Sequence, residues 1–255
     1  MNRYDNIGWI CRYLLDENPR FRNLAVPERL EERQQLMRSL LNIRPPMPIS
    51  EKFLQAQDAE LQAQLVDKGV VEIAEQGLVE WQGDITRLKV DAIVNAANSQ
   101  MLGCFVPMHR CIDNAIHSAA GVQLRLACKK MMRDTEEPTG SARITPGFNL
   151  PAKYVLHTVG PVVTTPLPLR QQEVQLESCY RSCLELADKN ALQSIAFCCI
   201  STGEFRFPND LACEIAVRTL REYPASHPDT HLKAIVFNTF KDIDHELYSN
   251  ALAEG

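Results

Sequence analysis

Apolar and polar residues follow two different periods along this chain, and the change between them comes near residue 70. Before it, apolar residues recur every three or four positions, which is the spacing of amphipathic helices. After it, short β-rich runs alternate with helical stretches. The pattern therefore predicts an N-terminal helical extension over residues 1–68 and an α/β domain over residues 69–255.

The extension contains three predicted helices. Residues 6–16 place several aliphatic side chains near one face. Pro27 is a favoured first helical residue and is expected to open the second helix, which the proline-rich segment 44–48 ends. Ser50 is expected to cap the third helix. Two interpretations stay open, namely a layer that only packs on the main domain and one that shapes a cleft or docks a partner.

The alternation after residue 69 predicts a three-layer α/β/α arrangement around a mostly parallel sheet. The candidate strands are residues 70–74, 78–81, 92–94, 142–145, 154–158, 194–199 and 232–238. The candidate helices are residues 112–120, 122–133, 172–190, 209–222 and 243–253. Ligands bind beyond the carboxyl ends of the strands in such sheets, so we expect the functional loops to lie along one edge.

The segment from Val90 to Gly121 carries the densest candidate chemistry. An apolar run ends in the sequence Asn-Ala-Ala-Asn at residues 95–98, a loop follows, and a helical pattern begins at Ile112. The first N–H groups of a helix have no internal partner, and its dipole favours negative charge there. This unit is therefore suited to an anionic ligand.

The loop holds Cys104, His109 and Cys111. Thiolate and imidazole are ligands that zinc prefers, and these three can hold one tetrahedral ion if the loop curls back on itself. No fourth ligand is evident from the sequence, and three ligands with one open position are typical of catalytic rather than structural zinc. The alternative is that they are ordinary loop or core residues, since this spacing is not a standard zinc-finger signature.

Composition narrows the class of protein. The 255 residues are 45% hydrophobic and 23% charged, and the formal net charge is -5. An acidic balance without a block of Lys and Arg argues against nucleic-acid binding. The nine cysteines show no disulfide framework. The sequence also has no signal peptide pattern and no long apolar run. Together with the scattered cysteines, these features predict a reduced, cytoplasmic protein outside the membrane.

Several collinear blocks of the sequence resemble the macrodomain, the ADP-ribose-binding module. The blocks are residues 83–86, 90–98, 112–117, 139–147, 150–161, 201–208 and 235–240. Most of the family has a run of glycines after Asn98. Here the segment 104–111 replaces it, which resembles the zinc-containing bacterial subgroup, an ADP-ribosylhydrolase of the MacroD-like type. The resemblance implies that the central sheet is mixed and that Zn²⁺ is the cofactor.

The resemblance also implies a set of contacts to ADP-ribose. Asp84 and Ile85 match the pair that reads adenine, and Phe240 matches an aromatic residue that stacks on it. The other implied contacts are Asn98, Gly103, Ser201, Thr202, Gly203, Glu204 and Phe205. From the residues alone, Asp84 has an alternative role as the cap of a turn, and Phe240 as a core residue.

Five residues are candidates for catalysis, namely Asn98, Asp113, Cys104, His109 and Cys111. Asn98 and Asp113 match a polar pair beside the distal ribose, where an amide can bind hydroxyls and a carboxylate can orient a water. Asp113 has an alternative role as a helix cap. His117 and His157 match family positions that we interpret as structural.

Two residues depart from the family pattern of small residues in the block 201–208. Glu204 places a carboxylate where it would repel a diphosphate, so we expect it to face solvent or to act near the sugar. Arg206 either offsets phosphate charge or is a surface arginine.

The resemblance implies hydrolysis of ADP-ribose from a protein side chain, with an Asp or Glu ester as the expected linkage. For the zinc-containing subgroup it implies a lipoyl-carrier protein as substrate and a sirtuin-type ADP-ribosyltransferase as the opposing enzyme. Two alternatives stay open, because fold does not settle function. One is a reader that binds ADP-ribose or ADP-ribosylated protein without turnover, and the other is an O-acetyl-ADP-ribose deacetylase.

Overall fold

A computed structural model describes residues 2–254 as three helices followed by alternating strands and helices. The helices are α1 (Arg3–Glu17), α2 (Leu30–Ile43), α3 (Glu51–Lys68), α4 (Ile112–Ala120), α5 (Val122–Met132), α6 (Arg170–Lys189), α7 (Asn209–Ser226) and α8 (Asp242–Ala253). The strands are β1 (Val71–Glu72), β2 (Gly77–Gln82), β3 (Leu88–Lys89), β4 (Ala92–Ala97), β5 (Ala142–Pro146), β6 (Tyr154–Val159), β7 (Ser194–Cys198) and β8 (Ala234–Thr239).

Side-chain caps explain where two of the first three helices begin. Asn2 accepts a hydrogen bond from the backbone of the first turn of α1, and Ser50 does the same for α3, as predicted. The predicted start of the second helix is wrong, because α2 begins at Leu30 and not at Pro27. The Pro27 carbonyl instead accepts a hydrogen bond from Arg33 Nε at 2.6 Å, which holds the proline in the preceding connection.

The apolar faces of α1, α2 and α3 pack against one another. Their buried cluster consists of Ile7, Ile10, Cys11, Leu14, Leu15, Met37, Leu40, Leu41, Phe53, Leu61 and Val122. Among these, Val122 alone comes from outside the extension. The extension therefore has a small core of its own, which reaches the rest of the chain at the start of α5.

Arg125 on α5 ties the extension to the main domain. Its Nη1 donates to the carbonyl oxygens of Leu41 at 2.8 Å and Arg44 at 2.6 Å, at the end of α2. Its Nε donates to the Leu102 carbonyl at 2.6 Å, just before the cysteine-containing loop. Burial lowers the pKa of this guanidinium to about 10, so it stays charged at neutral pH.

Six strands form the central sheet in the order β2-β8-β7-β4-β6-β5. Within residues 2–254, the β5–β6 pair of this sheet is antiparallel and the other pairs are parallel. The predicted mixed sheet with flanking helices is therefore confirmed. The predicted strand at residues 70–74 is shorter than expected, because only Val71–Glu72 pairs, and it does so with β3 in a separate two-stranded sheet.

The parallel order of the strands positions the functional loops. The ends of β2, β4, β7 and β8 lead directly into Asp84, Asn98, the loop at residues 199–208 and Phe240. Carboxyl ends of parallel strands meet at one edge of a sheet, so these four segments meet there. None of the helices within residues 2–254 has the length and apolar character needed to cross a membrane.

Candidate active site

A cleft with a volume of about 1140 Å³ opens at this edge of the sheet. The predicted site residues that line it are Asp84, Ile85, Asn98, Cys104, His109, Cys111, Asp113, Ser201, Thr202, Gly203, Glu204, Phe205 and Phe240. The extension completes the wall with side chains of α2 and α3, among them Arg38, Leu65 and Lys68. Of the two interpretations of the extension, the structure thus shows the one in which it shapes a cleft.

Cys104, His109 and Cys111 converge in the wall of the cleft. A ligand atom of each lies within 4.8 Å of those of the other two, and Cys104 Sγ is 3.6 Å from His109 Nδ1. Two thiols and one imidazole at this separation fit a tetrahedral zinc ion with one open position. Burial raises the pKa of the Cys111 thiol to about 12, so cation binding would release a proton from it.

Cys111 also caps helix α4. Its Sγ accepts a hydrogen bond from the Asn114 N–H at 3.4 Å, and the alternative role of Asp113 as the helix cap is therefore wrong. Asp113 lies in the first turn of the helix.

Asp113 is buried beneath the cleft and held by Asn95, a residue that the sequence analysis did not select. Asn95 Nδ2 donates to Asp113 Oδ1 at 2.8 Å and lies 3.2 Å from His157 Nδ1. His117 Nε2 is 3.5 Å from the same carboxylate oxygen. Burial raises the pKa of Asp113 to about 6. The signal for Asn95 was available, because it is a polar residue inside an otherwise apolar strand.

Gly103 lies against the ring of His117 rather than in the cleft lining. Its φ is +81°, and a Cβ at this position would come within 2.8 Å of His117 Cγ. Only glycine lets the loop turn and pack here. Its carbonyl accepts a long hydrogen bond of 3.4 Å from Asn98 Nδ2, while Asn98 Oδ1 accepts from Gln100 N–H. The contact of Gly103 with ADP-ribose stays a prediction.

The loop at residues 201–208 closes through its own backbone. Phe207 N–H donates to the Ser201 carbonyl at 3.0 Å, and Arg206 N–H donates to the Gly203 carbonyl at 3.1 Å. In the part of the chain that the structure describes, the N–H groups of residues 203–205 donate no hydrogen bond. Backbone N–H groups in a tight turn at a helix entrance favour an oxyanion.

The two residues that depart from the family pattern have different positions. The Glu204 side chain is 69% exposed, and its Oε1 lies 3.5 Å from His109 Nε2, beside the cysteine and histidine cluster. Arg206 is exposed, which matches the alternative of a surface arginine. Glu204 is thus a carboxylate at the mouth of the cleft, close to the predicted metal position.

Asp84 also lines the cleft and has the capping role. Its Oδ1 accepts from the Thr86 N–H at 3.0 Å and from the Thr86 hydroxyl at 2.6 Å, and its Oδ2 pairs with Lys68 Nζ at 3.0 Å. The contact with adenine stays a prediction. Phe240 is 75% exposed, so the alternative role as a core residue is wrong.

The Macro domain family matches residues 94–216. A protein-ADP-ribose hydrolase of Treponema medium is 48% identical, with 96% of this chain and 97% of the relative covered. A protein-ADP-ribose hydrolase of Staphylococcus aureus is 47% identical, with 94% of this chain and 93% of the relative covered.

Solved structures show the same fold. A Trypanosoma brucei macrodomain in complex with ADP-ribose superposes with a TM-score of 0.65 at 31% identity and covers 84% of this chain and 94% of its own. An Oceanobacillus iheyensis macrodomain with ADP superposes with a TM-score of 0.62 at 36% identity. This match covers 71% of this chain and 95% of the Oceanobacillus chain. With identity near one half along almost the whole length of its relatives, the chain belongs to the Macro domain family.

Proposed function

We propose that this protein hydrolyses the bond between ADP-ribose and a protein side chain, with Zn²⁺ held by Cys104, His109 and Cys111. The observation that carries the proposal is the convergence of these three ligand atoms in the wall of the cleft. A pure binding module gains little from a reactive metal with an open position. The names of relatives at 47% and 48% identity, protein-ADP-ribose hydrolases, support the same reaction class.

The cleft gives each part of ADP-ribose a proposed position. Adenine lies at Asp84 and Ile85, with Phe240 stacked on it, and the diphosphate lies on the N–H groups of residues 203–205. The distal ribose then lies beside Asn98 and the metal. The ADP-ribose complex of the Trypanosoma brucei macrodomain supports a ligand of this class.

A zinc ion held by Cys104, His109 and Cys111 would supply a Lewis acid for the ester carbonyl or a ribose hydroxyl, or would make a water more acidic. Asn98 orients the ribose through its side-chain amide. Burial raises the pKa of Asp113 to about 6, and this carboxylate can take a proton from a water or a hydroxyl. Because Asn95 holds Oδ1, the other carboxylate oxygen is the one available for that proton.

The finer assignments of the proposal concern the substrate. The linkage is an ester of Asp or Glu, and the substrate protein is a lipoyl carrier modified by a sirtuin-type ADP-ribosyltransferase. These assignments are supported by the resemblance of residues 104–111 to the zinc-containing subgroup. The free state of the nine cysteines supports a reducing, cytoplasmic location.

Substrate comparison with and without a chelator tests the proposal. The protein is incubated with aspartyl-linked and arginine-linked mono-ADP-ribosylated proteins and with O-acetyl-ADP-ribose, and free ADP-ribose is measured. We expect release from the aspartyl-linked protein, loss of release with the chelator and recovery on adding zinc. Tight binding without release from any substrate would contradict hydrolysis and favour a non-catalytic reader module. Release from O-acetyl-ADP-ribose alone would favour an O-acetyl-ADP-ribose deacetylase.

A further inference from the structure

We infer that the N-terminal extension is a working part of the active site, because Arg38 and Asn42 on α2 hold the loop at residues 104–111 in its ligand-converging conformation. This inference deepens the proposed function and rests on it only for the role of the metal. Both side chains are positioning residues: they act on the loop backbone.

The 104–111 loop has little support from its own backbone. Among the described residues, the backbone hydrogen bond within it is His109 N–H to the Val106 carbonyl, at 3.3 Å. Met108 has a φ of +56°, in the left-handed region that a non-glycine residue rarely occupies. Such a conformation persists only where surrounding contacts hold it.

Helix α2 supplies two of those contacts. Arg38 Nη2 donates to the His109 carbonyl at 3.2 Å and to Asn114 Oδ1 at 2.8 Å. Asn42 Oδ1 accepts the Met108 N–H at 3.0 Å. Arg38 and Asn42 are four positions apart, so they project from the same side of the helix. One face of α2 thus binds two consecutive residues of the loop, including the one with positive φ.

Helix α4 closes the network from its other side. Asn114 Nδ2 donates to the Val106 carbonyl at 3.0 Å, and its Oδ1 accepts from Ser118 Oγ at 3.3 Å as well as from Arg38. Asn42 Nδ2 donates to Ser118 Oγ at 2.9 Å. Four side chains from two helices therefore bond to one another and fix three residues of the loop.

The positions of the fixed residues connect the network to metal binding. They lie between Cys104 and Cys111, and one of them is the ligand His109 itself. A loop held in this way loses less freedom when the ligands close on an ion, which strengthens binding. Partners that orient metal ligands typically change metal affinity by about 10- to 100-fold when they are removed.

Two variants that replace the polar group by an apolar one test the inference, Arg38→Met and Asn42→Leu. The control is Arg12→Met, because Arg12 is likewise a helix arginine with two hydrogen bonds, but its acceptors are the carbonyls of Arg22 and Leu24 within the extension. The measurements are hydrogen exchange of the 104–111 amides in metal-free protein, zinc affinity by chelator competition, and melting temperature.

We expect both variants to raise loop exchange about tenfold and to weaken zinc binding about 10- to 100-fold, while the control stays within twofold of wild type. Asn42→Asp keeps an acceptor oxygen for the Met108 N–H and should recover most of the exchange protection. If Arg38→Met does not fold, the same measurements are made on the milder variant Arg38→Gln.

The inference would be overturned if Asn42→Leu and an Arg38 variant both fold and keep the wild-type zinc affinity and the wild-type hydrogen-exchange rates of the 104–111 amides. Failure of the proposed function has a different signature. Wild-type protein that releases no ADP-ribose from any substrate refutes hydrolysis, whereas loop exchange in metal-free variants still decides whether α2 holds the loop.

Discussion

Two loops in the wall of the cleft, residues 104–111 and 201–208, are supported in different ways. The 201–208 loop follows a buried strand and closes through two backbone hydrogen bonds of its own. The 104–111 loop has one such bond and depends on side chains from α2 and α4. A loop that binds an oxyanion through N–H groups needs a fixed backbone, and here backbone hydrogen bonds provide it, including one from the Val163 N–H to the Phe205 carbonyl at 2.8 Å. A loop that must bring three side chains to one point needs support from outside, and here much of it comes from the extension.

The largest expected effect comes from removing a metal ligand. This change tests whether the 104–111 loop serves hydrolysis while the 201–208 loop serves ADP-ribose binding. Cys104→Ala and Cys111→Ala should keep the fold but lower hydrolysis about 10³-fold, roughly 4 kcal/mol of transition-state stabilisation. ADP-ribose affinity should fall less than tenfold, because adenine and diphosphate contacts lie elsewhere. Zinc content, circular dichroism, calorimetry and single-turnover release are measured on each variant.

Cys213→Ala on α7 is the control, since this thiol lies outside the cleft lining. Global unfolding on loss of zinc would make the ion structural. Full activity without zinc would instead place the mechanism on Asn98 and Asp113 alone.

A smaller but still large effect is expected from Arg125→Met, which cuts the tie between the extension and the chain entering the 104–111 loop. Three carbonyls lose a charged donor, so the free energy of unfolding should fall by about 3 kcal/mol. Urea unfolding measures it. Arg29→Met removes exposed ion pairs with Glu31 and Glu32 and should cost less than about 1 kcal/mol. Equal losses in the two variants would contradict the role given to Arg125.

The smallest effect concerns the 201–208 loop. In Gly160→Ala the new Cβ would collide with Ser201 Oγ and would lie 3.0 Å from Ile200 Cγ2, so Ser201 must move. ADP-ribose affinity should fall by about 1 kcal/mol, or roughly fivefold, with zinc content unchanged. Adding Ser201→Ala removes the closest contact and should restore part of the affinity in calorimetry. An altered zinc content in Gly160→Ala would show that the two loops are coupled.

Most of the fold could be predicted from periodicity, because the apolar runs at β4, β6, β7 and β8 are buried strands whose ends share one edge. Convergence of the predicted contacts on one cleft follows from that geometry. The pairing of β1 with β3 could not be predicted, because two-residue strands leave no period to detect. The start of α2 was misplaced because a proline close to a helix fits the connection as well as the first turn.

The support of the 104–111 loop was hidden for a different reason. Arg38 and Asn42 are polar residues of an amphipathic helix, where such side chains normally face solvent. Their partners in the loop lie 71 and 66 positions further along the chain. Arg125 was missed in the same way. A single sequence contains no signal that links polar residues over such separations.

The separate core of the extension has a consequence for biosynthesis. About 60 residues lie between the end of α2 and Cys104. At about 5 to 20 residues per second, a ribosome needs several seconds to add them. Among the described residues, Val122 is the one buried member of the apolar cluster of α1, α2 and α3 that comes from later in the chain, so the cluster can begin to form in that interval. We therefore expect the nascent chain to present the face with Arg38 and Asn42 before the loop that it holds has been synthesised.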